Sequence, residues 1–409
     1  MKLLVLLALL PCVLGRAPLL NQEAKEIVEN EYIVVFHSSI NTTTRAMHMD
    51  YLRSSLRMSE VDNTEVMFEY NIEGPTLQFR GYSVRTSMSV INGLLDAPEV
   101  DYIGLNQKAH ALQTCNRQTE ATWGLERIAK PDLPLAGYYE DQEGNQGADV
   151  DVYVIDTGVR TTHVEFGTRA KFGYDSTSPP TSPIETDDNG HGTHVAGTIG
   201  GSTYGVAKAS TLIGVKVLNQ AGSGSYAGVI AGIDYAATEC RSGTRKCVGN
   251  MSLGGGFDSA VNAATDASVD AGVFMAVAAG NSYGANACNY SPASSNKATT
   301  VGSTDNTDAR SVFSNIGNCI EVFAPGTSIT SAWYTSDTAT NTISGTSMAS
   351  PHVAGVGARV FSANPTLTAP GVEAEVQRIA AVNKISNVGS GSPNLLVQGT
   401  CDLQPPPNM

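Results

Sequence analysis

Three short stretches of the 409-residue chain set a chemically useful side chain among glycines and other small residues. Val154-Ile155-Asp156-Thr157-Gly158 carries an aspartate, and Asn189-Gly190-His191-Gly192-Thr193-His194-Val195-Ala196-Gly197 carries a histidine. Gly345-Thr346-Ser347-Met348-Ala349-Ser350-Pro351-His352 carries a serine. A serine hydroxyl is a poor nucleophile at neutral pH. It needs a base within hydrogen-bond reach, and the pKa of histidine suits that task. The imidazole in turn needs a carboxylate to hold its tautomer and to stabilise it once charged. Each stretch alone has a plainer reading. Asp156-Thr157-Gly158 could be a turn, His191 a structural histidine and Ser347 a helix cap. All three in one chain, each close to glycine, point instead to serine-based hydrolysis.

The elements that must position these groups are legible as apolar runs. Val150 to Ile155 leads directly into Asp156, and Leu212 to Leu218 reads as a second buried strand. Val248 to Leu253 ends in Gly254, Gly255 and Gly256, and Val273 to Ala278 ends in Ala279-Gly280-Asn281. Helical patterns over Ala227 to Thr238 and Ala260 to Ala271 separate the runs. Strands alternating with helices predict an α/β fold, a parallel sheet covered on both faces. Open sheets of this kind place their sites beyond the carboxyl ends of the strands. The stretch from Gly345 to His352 can start a helix with Ser347 in its first turn, which leaves an N–H and a favourable dipole beside the hydroxyl.

Residues 16–111 are more charged and poorer in glycine. Strands near 32–36, 66–70, 79–84 and 100–104, with a polar helical stretch between them, predict a small α+β unit. Ahead of it, MKLLVLLALLPCVLG reads as a secretory leader over residues 1–15. No later segment is apolar enough to span a membrane, so a soluble secreted protein is expected. Gln404-Pro405-Pro406-Pro407 reads as a frayed tail. Apolar residues make up 41% of the chain and charged residues 16%, with a net charge of −14. That charge argues against nucleic acid, which wants a basic patch, and accords with solubility, or less simply with calcium. Of seven cysteines, Cys12 leaves with the leader. Six remain, an even number in a secreted chain, with about fifteen possible pairings.

The motifs resemble the subtilisin-like serine proteases, and within them the proteinase K and aqualysin group. Besides the three stretches above, the likeness rests on Ala121-Thr122-Trp123-Gly124-Leu125, Thr203-Tyr204-Gly205-Val206-Ala207-Lys208 and Met251-Ser252-Leu253-Gly254-Gly255-Gly256. Ala278-Ala279-Gly280-Asn281, Asn289-Tyr290-Ser291-Pro292-Ala293 and Phe313-Ser314-Asn315 extend it, so that it covers roughly residues 115–398. The resemblance implies a three-layer parallel-sheet catalytic domain over 112–400, preceded by a ferredoxin-like α+β inhibitory propeptide over 16–111. The boundary falls between 105 and 115, and residues 401–409 form a tail. It implies Ser347 as nucleophile, His191 as general base and then acid, Asp156 as its orienting carboxylate and Asn281 as an oxyanion donor with the Ser347 N–H. Gly222, Ser223, Gly224 and Tyr226 on one side, and Ser252, Leu253 and Gly254 on the other, match the strands that sandwich an extended peptide. Ala278, Ala279, Gly280 and Tyr290 match the pocket for the side chain before the cut. Small uncharged walls there imply broad cleavage after aromatic or aliphatic residues. Asn106 to Thr114 would lie in the cleft after self-cleavage, with the cut near His110 or Leu112.

No cofactor is implied for catalysis. The group also binds structural calcium, with an aspartate where this chain has Glu321, beside the carbonyls of Asn296 and Ala298. Cys288 with Cys319 matches an aqualysin-like disulfide. Cys240 with Cys247 would close a local loop, and Cys115 with Cys401 would then tie the two ends of the mature chain. The partners implied are protein and peptide substrates and the chain's own propeptide, with no nucleic acid or membrane, and a monomer is expected. His194 lies one helical turn after His191, but the His-Glu-x-x-His metal pattern is absent. His194, His352, Met348 and Met251 are therefore expected to pack. Asn41, Asn250 and Asn289 begin glycosylation sequons, of which Asn250 falls in a strand next to the substrate. One alternative is a catalytically silent relative that serves as a binding protein. Another is an esterase, whose Gly-x-Ser-x-Gly elbow and Ser…Asp…His order are both missing.

Overall fold

The computed structural model describes residues 16–23, 27–58, 64–73, 78–107, 115–135, 137–142 and 146–399, with backbone alone at 54–58, 141 and 142. The leader, the tail, Cys401 and most of the stretch from Asn106 to Thr114 lie outside the described residues. The chain divides into two compact units, Met1–Leu112 and Gln113–Met409.

The first unit has its own core, built from side chains such as Val34, Phe36, Tyr82, Val84, Ile91 and Ile103. Its main strands run in the order Val100–Gln107, Ile27–Phe36, Gln78–Arg85 and Glu65–Glu73. Those four pair antiparallel, and a short strand at Leu19–Leu20 adds parallel to Val100–Gln107. Helices Thr42–Met58 and Met88–Leu94 supply the crossovers. This is the split β-α-β arrangement of a ferredoxin-like unit.

The second unit is built on a sheet of nine strands among the described residues. They run Ala381–Val382, Leu395–Leu396, Val322–Pro325, Thr299–Thr304, Val273–Ala278, Lys246–Met251, Val150–Asp156, Thr211–Lys216 and Ala170–Asp175. Every pair is parallel except the outermost, Ala381–Val382 with Leu395–Leu396. Every residue of Val273–Ala278 and of Thr299–Thr304 is buried, which requires cover on both faces. Helix Tyr226–Ser242 comes so close that a Cβ at Gly232 would meet Val217, Val215 and Ile155. Helix Thr346–Ala363 likewise brings Gly357 onto the ring of Phe274.

Local chemistry explains where the helices begin. Ser225 accepts from the Gly228 N–H, Asp258 accepts from Ala260 and Val261, and Thr368 accepts from Gly371. The expected strands are present with small shifts at their ends. The run from Leu212 leaves the sheet at Lys216, because the Val217 and Leu218 N–H groups both turn to the Asp156 carbonyl.

Strand order places the site. The strand that ends in Asp156 has Thr211–Lys216 on one side and Lys246–Met251 on the other. The connection from Asp156 runs outward to Ala170–Asp175, while that from Lys216 crosses back to Lys246–Met251, so the winding reverses and opens a crevice at the carboxyl ends of these strands.

Candidate active site

Asp156 is the last residue of its strand and is fully buried. Its Oδ1 accepts the Thr157 N–H at 2.7 Å. His191 opens helix His191–Gly200, and its Nδ1 lies 2.8 Å from Asp156 Oδ1 and 3.0 Å from Oδ2. A carboxylate can only accept, so Nδ1 carries the proton and Nε2 offers a lone pair. The imidazole side chain is 26% exposed while the carboxylate beneath it is 0% exposed. Burial disfavours charging His191, but the charge and hydrogen bond of Asp156, joined by the charge of Asp187, overcome it and raise its pKa above the ordinary value.

Ser347 is the second residue of helix Thr346–Ala363. Its N–H has no partner among the described residues. Its hydroxyl donates to the Ser252 carbonyl at 3.1 Å, and no hydrogen bond joins it to His191 among the described residues. The proline four residues on has a physical consequence. Pro351 has no N–H to give the Ser347 carbonyl, and the Ser252 hydroxyl fills the place at 2.8 Å. Asn250 Nδ2 donates to Ser252 Oγ at 3.0 Å, and Ser350 Oγ donates to Asn250 Oδ1 at 2.8 Å. The backbone of the serine is thus anchored from a neighbouring strand.

Asn281 stands three residues beyond strand Val273–Ala278. Its Oδ1 accepts both the N–H and the hydroxyl of Thr346, each at 2.9 Å. The amide's donor side has no partner among the described residues.

Two cavities meet here. One, of about 380 Å³, is lined by His191, Gly222, Ser223, Gly224, Tyr226, Ser252, Leu253 and Gly254. The other, of about 300 Å³, is lined by Leu253, Gly254, Ala278, Ala279, Gly280, Asn281, Tyr290 and Ser347. Leu253 and Gly254 border both. The Tyr226 hydroxyl donates to the Gly256 carbonyl at 2.7 Å and ties one wall of the first cavity to the other. The second cavity has no acidic or basic side chain in its lining. The structure brings the expected catalytic and substrate-binding residues together beyond the carboxyl ends of the interior strands.

Sequence reasoning missed four residues that hold the site. Thr346 orients Asn281, Asn250 braces Ser252, and Thr157 and Asp187 join the aspartate's strand to the histidine's helix. Only the position of Thr157, next to Asp156, and of Thr346, next to Ser347, could have drawn attention to them.

The remaining expected residues have settled places. His194 is buried, with Nε2 3.0 Å from the Ile329 carbonyl and 3.2 Å from the Asn341 carbonyl. His352 is buried, with Nδ1 2.8 Å from the Met348 carbonyl. Burial pushes both imidazoles down to about 4. Met251 and Met348 lie in the main core. Disulfides join Cys240 to Cys247 and Cys288 to Cys319. The Cys115–Cys401 pairing lies outside the described residues. Asn250 is fully buried and hydrogen-bonded, which closes it to a glycan.

The calcium expectation rests on Glu321 with the carbonyls of Asn296 and Ala298. A calcium ion takes about six to eight oxygens, charged carboxylates among them. Glu321 gives one carboxylate oxygen to the Thr300 N–H at 2.6 Å, and burial pushes its carboxyl up to about 8. No group of three or more His, Cys, Asp or Glu side chains suited to a metal occurs among the described residues.

The sequence pattern of the subtilase family matches residues 147–396, and that of the peptidase inhibitor I9 family matches residues 31–111. An extracellular serine proteinase of a Thermus species is 44% identical over 93% of this chain and 92% of its own length. Subtilisin-like protease 2 of the fungus Pseudogymnoascus destructans is 41% identical over 96% of this chain and 95% of its own. A crystal structure of a cold-adapted subtilisin-like serine proteinase is 46% identical, with a TM-score of 0.65, and covers 69% of this chain and 100% of its own. The chain belongs to the subtilase family of serine proteases, with an inhibitor I9 propeptide module ahead of its protease domain.

Proposed function

We propose that this chain is a secreted endopeptidase that cleaves proteins through an acyl-enzyme on Ser347. The observation that supports this reading best is the sealed Asp156 carboxylate 2.8 Å from His191 Nδ1, with His191 facing a cleft that Ser347 and Asn281 also border. The reaction begins when the Ser347 hydroxyl turns from the Ser252 carbonyl to His191 Nε2. His191 takes the proton, and Oγ bonds to the substrate carbonyl carbon. The oxyanion that forms accepts hydrogen bonds from Asn281 Nδ2 and the Ser347 N–H. The C–N bond then breaks, and His191 passes its proton to the leaving amine. Water repeats the sequence on the ester and frees Ser347.

An extended peptide lies between the 222–226 and 252–254 segments, where backbone pairing gives affinity with little sequence preference. The uncharged second cavity takes an aromatic or aliphatic side chain before the cut. The chain is made as a zymogen with a leader over 1–15, an inhibitory propeptide over 16–111 and a catalytic domain over 112–400. It removes the propeptide itself and acts as a monomer.

The test is covalent labelling. A sulfonyl fluoride should add one sulfonyl group to Ser347, found by peptide mapping, and should stop hydrolysis of a peptide substrate. His191→Ala should abolish both. A chain that neither labels nor hydrolyses is the catalytically silent relative.

A further inference from the structure

The helix that carries His191 starts without a cap of its own. Gly190 stands at its N-cap in the left-handed region, with φ 111°, and has no side chain to offer. The first N–H groups of a helix lack intrahelical partners. Here three of them are met from outside the helix. His191 N–H donates to Asn189 Oδ1 at 3.1 Å, Gly192 N–H to Thr157 Oγ1 at 2.8 Å, and Thr193 N–H to Asp187 Oδ2 at 2.9 Å.

Asp187 gathers four more donors. The N–H groups of Asn189 and Gly190 reach it at 2.9 Å each, the Thr157 hydroxyl at 2.8 Å and the Thr193 hydroxyl at 2.7 Å. The residue is 3% exposed. Hydrogen bonds to an ionised acceptor are about twice as strong as neutral ones, so this carboxylate is a firm anchor.

Thr157 is the joint between anchor and site. Its N–H donates to Asp156 Oδ1 at 2.7 Å, and its hydroxyl links Asp187 to Gly192. Its carbonyl accepts from the buried Lys216 Nζ at 2.7 Å, and the same ammonium meets Asp188 Oδ1 at 2.6 Å. One continuous run of hydrogen bonds therefore connects Asp156, Thr157, Asp187 and the residues on either side of His191.

We propose that Asp187 is a positioning residue for the hydrolysis. Its carboxylate fastens the start of the His191 helix to the end of the Asp156 strand, and its enclosed negative charge steadies the imidazolium that forms on His191. The proposal rests on the reading of His191 as the general base. Geometry matters here because a displacement of about 1 Å can cost roughly 100-fold in rate. Charge matters because an enclosed carboxylate is weakly screened. The groups that face His191 are Asp156 in direct contact, Asp187 at the helix start and His194 one turn along, neutral at working pH. Lys216 and Asp188, beyond Thr157, are paired with each other. Asp187 adds to Asp156 in raising the pKa of His191.

Asp187→Asn keeps the size, removes the charge and turns one of the two accepting oxygens into a donor. It is expected to lower kcat roughly 10- to 100-fold with KM within about two-fold. It should also move the acid limb of the kcat/KM profile to lower pH, since His191 loses a charge that favours its protonation. A clamp that only stabilised the fold would lower Tm and leave that limb in place. A kcat within about two-fold of wild type, or an unmoved acid limb, overturns the proposal. Where Asp187→Asn fails to fold, Thr157→Val tests the fastening alone. It keeps the charge, so kcat should fall with the acid limb unmoved, and a wild-type kcat overturns the proposal. His191→Ala is measured alongside. If it stays active, the general-base reading fails by itself. If it is inactive while Asp187→Asn behaves as wild type, only the role of Asp187 fails.

Discussion

Thr346 gives both its backbone N–H and its hydroxyl to one atom, Asn281 Oδ1, at 2.9 Å each. Two donors on the carbonyl oxygen settle which way the amide faces, and Nδ2 is left for an acceptor in the cleft. The acceptor that fits is an oxygen whose charge grows as the peptide carbonyl is attacked. Asn281→Ala should lower kcat about 100- to 1,000-fold and leave KM nearly unchanged. Steady-state kinetics on a peptide substrate check this. A raised KM with wild-type kcat would mean that the amide binds substrate rather than transition state.

The pH profile follows from His191. Burial opposes its protonation and Asp156 favours it, with the balance above the ordinary value of 6.5. The neutral imidazole is the base, so activity should fall as pH drops through an apparent pKa above 6.5. His194, at about 4, stays neutral throughout that window. Asp156→Asn should lower the apparent pKa, because a charge that favours protonation is gone, and should cut kcat by about 10,000-fold. A kcat/KM profile for both proteins decides it.

Self-processing should depend on Ser347. Intact mass of the wild type should show a chain cut near the Leu112–Gln113 boundary, and Ser347→Ala should keep its propeptide. Identical cutting of both would assign the processing to another protease.

Specificity should follow the uncharged lining of the second cavity. A peptide library should show cleavage after a range of aromatic and aliphatic residues. Strict cleavage after Arg or Lys would require a carboxylate that this lining lacks, and would reject the pocket.

A stability prediction concerns a buried ion pair remote in sequence. Arg127 is fully buried, with Nε 2.6 Å from Asp308 Oδ1 and Nη2 3.0 Å from Oδ2. Asp308→Ala would leave the guanidinium enclosed without its counter-charge and should cost about 3–5 kcal/mol. Thermal unfolding of the processed protein measures it. Replacing both residues by apolar ones of similar size should recover most of the loss.

Residue types and their small neighbours drew attention to Asp156, His191 and Ser347 and placed them at a strand end and helix starts, while the role expected of Asn281 came from the family resemblance. Strand and helix periodicity is local, and a nucleophile and its base need small neighbours that show in a short stretch. The leading Leu-rich segment and the even cysteine count were equally local signals. The supports of the site were not legible in this way. Nothing near Thr346 says that its hydroxyl meets a side chain 65 positions earlier, and nothing near Thr157 says that it meets Asp187 30 positions later. Folding makes Pro351, which has no N–H, the reason that the Ser252 hydroxyl holds the serine's carbonyl. The burial of Glu321 and the bond it accepts from the Thr300 N–H were likewise invisible in the sequence. Residue type and spacing determine which groups can do chemistry. Which hydrogen bonds hold them in place is decided by strands and loops distant in sequence, because a buried polar atom takes whatever partner the packed chain brings within reach.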